Sequence, residues 1–257
     1  MLDTRTPSVA RAYDHLLGGG ASFAADRALA ARLVALYPRL ADHLTASRTQ
    51  VAEAVGRIAR HGVDQYLDVG AGLPTRPSTH VTARAQLPAA RVVYIDRDPV
   101  VVAHGTDLIP RGVSYQAGDL TEPEALLAAL GYRLPSATPA RAVPTAHIGA
   151  LDFTRPVCLV LALIVQALEP GTARSVVSVL VKALAPGSYL VATVGAGEEG
   201  RLPDSVWPAA ATEADLAGYF GGLDLLPPGI SRHGDVLCGV GVKPYPAAPP
   251  ASGRPRG

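Results

Sequence analysis

The sequence predicts a doubly wound α/β fold, a mostly parallel sheet of seven strands with helices on both faces. Three observations predict it. Short apolar runs alternate with helical stretches from Gly62 onward, a glycine turn follows the first run directly, and acids follow the next two runs.

The chain opens on helix. From Pro7 to His61, Leu29, Leu33 and Leu36 recur at helical spacing, as do Val51, Val55 and Ile58, which predicts an N-terminal helical cap over residues 1–62. Gly18, Gly19 and Gly20 interrupt it, and three consecutive glycines have too much backbone freedom to continue a helix, so a hinge or close-approach loop belongs there. The expected strands are Gln65 to Val69, Arg91 to Ile95, Val113 to Gln116, Val157 to Ile164 and Ser188 to Val194, with two more near Leu223 and Val236. Between the last two, Pro227-Pro228-Gly229 and His233-Gly234 leave room only for a loop, which predicts an antiparallel pair at the sheet edge. Residues 63–243 then form the ligand-binding core. Pro135 to Ala150 reads as a Pro- and Ala-rich insertion, and residues 244–257 as a disordered tail.

Composition narrows the function classes. The 257 residues are 48% hydrophobic, enough for a core of ordinary size, and 23 basic against 22 acidic residues leave a formal charge of +1. That balance lacks the basic footprint a nucleic-acid or anionic membrane partner requires. Met1 to Ser8 lacks the basic start and apolar stretch of a secretory signal, and no apolar run approaches the roughly 20 residues of a membrane span. Cys158 and Cys238 sit in separate apolar runs without ligand-spaced partners. They read as buried thiols of a cytoplasmic protein, with no metal site. No pattern assigns an oligomeric state.

Asp68-Val69-Gly70-Ala71-Gly72 places a turn at the carboxyl edge of the sheet, where ligands of open α/β folds bind. A dinucleotide fingerprint has a third glycine where this chain has Thr75, so a pyrophosphate is not what the turn accommodates. Asp96, ending the second strand, is placed to accept both ribose hydroxyl protons, whereas Asp98-Pro99 reads as a helix N-cap. Gly118-Asp119-Leu120 follows the third strand, where the acid can accept from an adenine amino group while Leu120 packs on the ring. Taken in order, these features point to S-adenosylmethionine, with Asp68, Gly70, Ala71, Gly72, Asp96, Gly118, Asp119 and Leu120 around it.

The chain also resembles a family, the actinobacterial S-adenosylmethionine-dependent methyltransferases once catalogued as a domain of unknown function (methyltransferase family 19). The matching stretches run from Pro7-Ser8-Val9-Ala10-Arg11-Ala12-Tyr13-Asp14-His15-Leu16-Leu17-Gly18-Gly19 through Leu67-Asp68-Val69-Gly70-Ala71-Gly72-Leu73-Pro74-Thr75 and Val93-Tyr94-Ile95-Asp96 to Leu151-Asp152-Phe153-Thr154-Arg155-Pro156 and Leu184-Ala185-Pro186-Gly187. The resemblance implies a Rossmann-like class I methyltransferase fold that binds S-adenosylmethionine, and it implies no particular acceptor. This chain departs from the family in two places. Gly20-Ala21-Ser22 stand where the family carries lysine and then acid or amide residues, and Gln166 stands near a position where the family commonly has histidine.

In-line methyl transfer from a sulfonium needs few charged groups, and a general base only for an acceptor that arrives protonated. The fourth strand ends Leu161-Ala162-Leu163-Ile164-Val165-Gln166, without an Asp-Pro-Pro-Tyr type motif, which favours an apolar pocket for a small molecule over a nucleobase amine. The polar candidates near it are Tyr13, Asp14 and His15, with Tyr13 placed to cover the methionine moiety. His104 and His147 are weaker candidates, and Arg11 and Arg27 can anchor an acid or lie on a solvated helix face. Two other readings stand beside the methyltransferase. One is a cofactor-binding protein without transferase activity, favoured by the neutral Gly20 loop and Gln166; the other is a nucleotide-dependent oxidoreductase, against which Thr75 speaks.

Overall fold

The computed structural model describes residues 3–75, 77–132, 151–196 and 211–246. The expected insertion at Pro135 to Ala150, His147 within it, and the tail beyond residue 246 lie outside the described residues.

Apolar runs bounded by glycines, prolines and acids form the sheet. Its seven strands lie in the order β3-β2-β1-β4-β5-β7-β6. They are β1 (Gln65–Val69), β2 (Arg91–Asp96), β3 (Val113–Ala117), β4 (Cys158–Ala162), β5 (Tyr189–Gly195), β6 (Asp224–His233) and β7 (Val236–Val242). The first five run parallel, and β7 pairs antiparallel with both β5 and β6. β1 is central and buried along its whole length, as a strand covered on both faces must be.

Two strand boundaries differ from the expected ones. β4 stops at Ala162 because Leu163 turns into the left-handed region, with φ 54°. Pro227-Pro228-Gly229 lies inside β6, at an irregularity in its pairing with β7 between Leu225 and Ile230, and only Gly234-Asp235 separates the two strands. As an edge strand, β6 tolerates residues that cannot donate to a ladder.

Helices α3 (Leu40–Arg60), α4 (Thr79–Gln86) and α5 (Pro99–Leu108) cover one face, where Val51, Val55, Ile58, Ala83 and Val101 pack on Tyr66, Val92 and Tyr94. On the other face lie α6 (Pro123–Ala129), α7 (Pro170–Ala183) and α8 (Glu213–Gly218), whose Leu126, Val177, Leu180 and Leu216 pack on Leu67, Leu159 and Leu190. Each such side chain contributes about 1.5 to 3 kcal/mol on burial. α1 (Val9–Leu16) and α2 (Ala24–Leu36) stack beyond α3, and their Ala12, Leu29, Ala30 and Leu33 meet Leu40, Leu44 and Leu163. Leu36 keeps the spacing of Leu29 and Leu33 but is solvent-exposed.

The glycine interruption closes tightly on itself. Gly18 has φ +81°, and a Cβ on Gly19 would lie 2.1 Å from the Asp14 carboxylate, whereas one on Gly20 would meet nothing within 4 Å. Cys158 and Cys238 are buried free thiols.

Candidate active site

The sheet order reverses between β1 and β4, and a crevice opens outside the carboxyl ends of those strands, the usual ligand position in this topology. A cavity of about 710 Å³ fills it, a size typical of ligand sites. All of the expected cofactor residues line this one cavity: Tyr13, Asp68, Gly70, Ala71, Gly72, Asp96, Gly118, Asp119 and Leu120.

The turn after β1 is built so that backbone forms the floor. Gly70 has φ +68°, and a Cβ there would sit 2.3 Å from Ile164 Cγ1. Its amide and that of Ala71 donate to the Ile95 carbonyl at 2.9 and 3.1 Å, tying the turn to the end of β2. Asp96 completes the tie, accepting from the Gly72 amide at 2.9 Å through one oxygen and from the Asp98 amide at 3.0 Å through the other. Burial raises the Asp96 carboxyl, and these two amide bonds oppose the rise. Asp98 is a cap, as expected, accepting from Val100 N and Val101 N at the start of α5.

Asp119 accepts from the Thr121 amide and hydroxyl through one oxygen, both at 2.8 Å, and the amide bond first of all holds its carboxyl below the usual range. Its other oxygen has no hydrogen-bond partner among the described residues. Leu120 is buried beside it.

Asp68 is the deepest acid. Burial pushes its carboxyl up to about 6, although the Thr79 hydroxyl, 2.6 Å away, and the nearby Arg48 charge both favour ionisation. A carboxyl raised by folding adds stability below its unfolded value near 3.8, and that contribution is lost as pH rises through about 6. Without cofactor, Asp68→Asn should therefore gain on the order of 2 to 3 kcal/mol at pH 8, and nothing at pH 3.5, in denaturant titrations. The Asn oxygen can still accept from Thr79. Equal stability of the two proteins at pH 8 would contradict the burial argument.

Arg48 on α3 went unnoticed in the sequence, where an arginine on a helix reads as solvated. Its guanidinium donates to the Thr75 and Leu73 carbonyls at 2.9 and 3.2 Å, and lies over the Tyr13 ring at 5.4 Å. It lines the cavity with Tyr13 and Asp68. Leu163 was missed as well. Its left-handed backbone costs a non-glycine residue about 1 to 2 kcal/mol, and Thr193 on β5 holds it there, accepting from its amide through carbonyl and hydroxyl at 3.0 and 3.2 Å. The Thr193 hydroxyl is bonded in turn to Ser47 on α3 at 2.7 Å.

Other candidates have structural partners. Asp14 accepts from the Thr75 hydroxyl at 2.9 Å and the Ala21 amide at 3.3 Å, joining the cap to the glycine turn. Arg11 is buried in an ion pair with Asp26 and another with Asp98, so it neither lies on a solvated face nor offers an anchor. Exposed Arg27 donates to the Ser22 carbonyl. His15 and His104 are not among the cavity-lining residues, and His104 lies against the Phe23 ring.

A family model described as S-adenosyl methyltransferase matches residues 1–235. The chain belongs to the S-adenosyl methyltransferase family. Two solved structures support that membership at the level of the whole chain. One, from Thermobifida fusca and described as a candidate methyltransferase, is 30% identical with a TM-score of 0.79, covering 95% of this chain and 97% of its own. The other, a DUF574 family protein from Streptomyces avermitilis, is 28% identical with a TM-score of 0.81, covering 95% and 100%. No curated protein matches the chain. The protein is thus a Rossmann-like class I methyltransferase that uses S-adenosylmethionine. The cavity fits that cofactor: the glycine turn leaves no side chain on the floor at Gly70 and Gly72, and Asp96, Asp119 and Arg48 supply acceptors and a cation at its edges.

Proposed function

We propose that this methyltransferase acts on a small molecule, with its cofactor lying along the ends of β1, β2 and β3 and the acceptor at the apolar end of the cavity beside β4. The observation that carries this reading is the division of the cavity wall. The acids all lie at the carboxyl ends of β1 and β2 or just after β2 and β3, whereas the stretch after β4 contributes Leu163, Ile164, Ala167 and Leu168 with a single polar side chain, Gln166. The small formal charge supports a small molecule over nucleic acid.

When bound, S-adenosylmethionine supplies a methyl group on a cationic sulfonium, open to in-line displacement. In this reading the Asp96 carboxylate accepts the ribose hydroxyls, and Asp119 accepts from the adenine amino group while Leu120 packs on the ring. Arg48 pairs with the cofactor carboxylate, and Tyr13 covers the methionine moiety. Burial keeps the Tyr13 hydroxyl protonated by raising it above its usual value, so Tyr13 serves as wall and donor rather than base. The apolar residues after β4 exclude water, which keeps the acceptor in line and prevents hydrolysis. Residues 1–62 act as a cap continuous with the 63–243 core, since α1 and α3 both contribute cavity wall through Tyr13 and Arg48.

Titration calorimetry tests the arrangement. S-adenosylhomocysteine should bind and NAD should not, and Asp96→Ala should weaken S-adenosylhomocysteine by roughly 10- to 100-fold, the loss of charged hydrogen bonds. Unchanged affinity in that variant would remove Asp96 from the site.

A further inference from the structure

The stretch after β4 has one polar side chain facing the acceptor end, and its chemistry is one-sided. Gln166 lies in the 3₁₀ turn Val165–Ala167 and is 6% exposed. Its Oε1 accepts from the Gly195 amide at 2.5 Å, at the end of β5. That backbone donor fixes which end of the amide is oxygen, and it leaves Nε2, with two hydrogens, without a partner among the described residues. The residue lines the cavity, so a ligand there is within reach as a partner for Nε2.

We propose that the methyl acceptor is an acidic hydroxyl, a phenol or enol on a mainly apolar body, whose ionised oxygen is received by the Gln166 Nε2–H. The proposal rests on the methyltransferase reading and on β4 marking the acceptor end. An amine acceptor needs a hydrogen-bond acceptor to orient its N–H; among the described residues from Leu163 to Leu168 the one side-chain oxygen is Gln166 Oε1, which the Gly195 amide engages, whereas Nε2 offers donors alone. An aliphatic alcohol needs a base, and the stretch from Leu163 to Leu168 holds neither histidine nor carboxylate. A phenol or enol acidic enough to titrate near neutral pH needs neither. It is partly ionised in water before it binds, and the Nε2–H bond favours the anion against the opposing effect of apolar burial. The oxygen's electron pair then forms the new O–CH3 bond as the S–CH3 bond breaks, and the electrons of that broken bond remain on sulfur as a neutral thioether. Apolar Leu163, Ile164 and Leu168 suit the carbon body of such an acceptor.

The discriminating variant is Gln166→Glu, whose carboxylate can still accept from Gly195 while replacing the donor with a second acceptor. The full chain would be incubated at pH 8 with methyl-labelled S-adenosylmethionine and, separately, para-nitrophenol, umbelliferone, benzyl alcohol or aniline, with S-adenosylhomocysteine affinity measured in parallel. The expected result is transfer to the two phenols and not to the alcohol or the amine. In the variant, phenol transfer should fall roughly 10- to 100-fold while S-adenosylhomocysteine affinity stays within about twofold. Undiminished phenol transfer by the variant, equal transfer to aniline or benzyl alcohol by the wild type, or no transfer to any probe by a wild type that binds S-adenosylhomocysteine would overturn the acceptor class. A variant that loses S-adenosylhomocysteine affinity would overturn the placement of Gln166 at the acceptor end. Failure of the wild type to bind S-adenosylhomocysteine would instead overturn the cofactor reading beneath it.

Discussion

Arg11→Met is expected to destabilise the protein by about 3 to 5 kcal/mol, the range for breaking a buried ion pair from one side. Arg11 Nε donates to Asp26 at 2.9 Å, one terminal nitrogen donates to Asp98 at 2.9 Å and the other to the Thr6 carbonyl at 2.7 Å. Asp26 is fully buried and also accepts from the Ser8 and Phe23 amides, both at 2.8 Å. Methionine fills much of the volume but leaves that carboxylate without its cation. Burial by itself would raise the Asp26 carboxyl; the guanidinium and the two amides outweigh it and hold the group below its usual value. A carboxyl lowered by folding contributes stability that is present above its unfolded value and lost as pH falls through the folded one. In the variant burial dominates and the sign reverses, so the gap between the two proteins should be widest at neutral pH and narrow below about pH 4. Denaturant titrations at several pH values measure this directly, and a loss under about 1 kcal/mol at pH 7 would show that the pair is not what seats the cap.

Gly70→Ala should cost about 2 to 5 kcal/mol and abolish measurable binding of S-adenosylhomocysteine. Two terms add. An alanine at φ +68° bears the left-handed penalty of about 1 to 2 kcal/mol, and its Cβ, 2.3 Å from Ile164 Cγ1, forces overpacking worth about 1 to 3 kcal/mol more. Ile164 belongs to the cavity wall, so relief of the clash moves that wall. Gly20→Ala is the matched control, because its Cβ would meet nothing within 4 Å; it should change stability by about 0.5 kcal/mol or less. Thermal melts of the two variants, with and without S-adenosylhomocysteine, separate a turn-specific effect from a general intolerance of alanine.

Both predictions concern residues whose roles were unequally legible in the sequence. Gly70, Asp96 and Asp119 could be read because a strand, a tight turn and an acid each leave a local mark, and their order along the chain fixes their order along the sheet edge. Arg11 could not. An arginine on a short helix carries the same local signature whether it faces solvent or two acids of the fold, and its partners Asp26 and Asp98 come from another helix and from the cap of α5. Arg48 was hidden for the same reason. The strand ends were legible only where punctuation marks them. Nothing in Leu161-Ala162-Leu163-Ile164 announces that Leu163 turns left-handed, since the cause is Thr193 on a neighbouring strand, braced by Ser47. Pro227-Pro228-Gly229 misled in the opposite direction, because breakers are tolerated in an edge strand that pairs on one side only. Leu36 kept helical spacing past the point where α2 leaves the core.

A crystal structure of the protein with S-adenosylhomocysteine tests the central claim most directly. The account predicts both ribose hydroxyls within hydrogen-bond distance of the Asp96 carboxylate, the adenine beside Asp119 and Leu120, and the sulfur turned toward Leu163 and Gln166. Density for the ligand with Asp96 beyond hydrogen-bond reach of the ribose, or with the sulfur facing away from the end of β4, would contradict it.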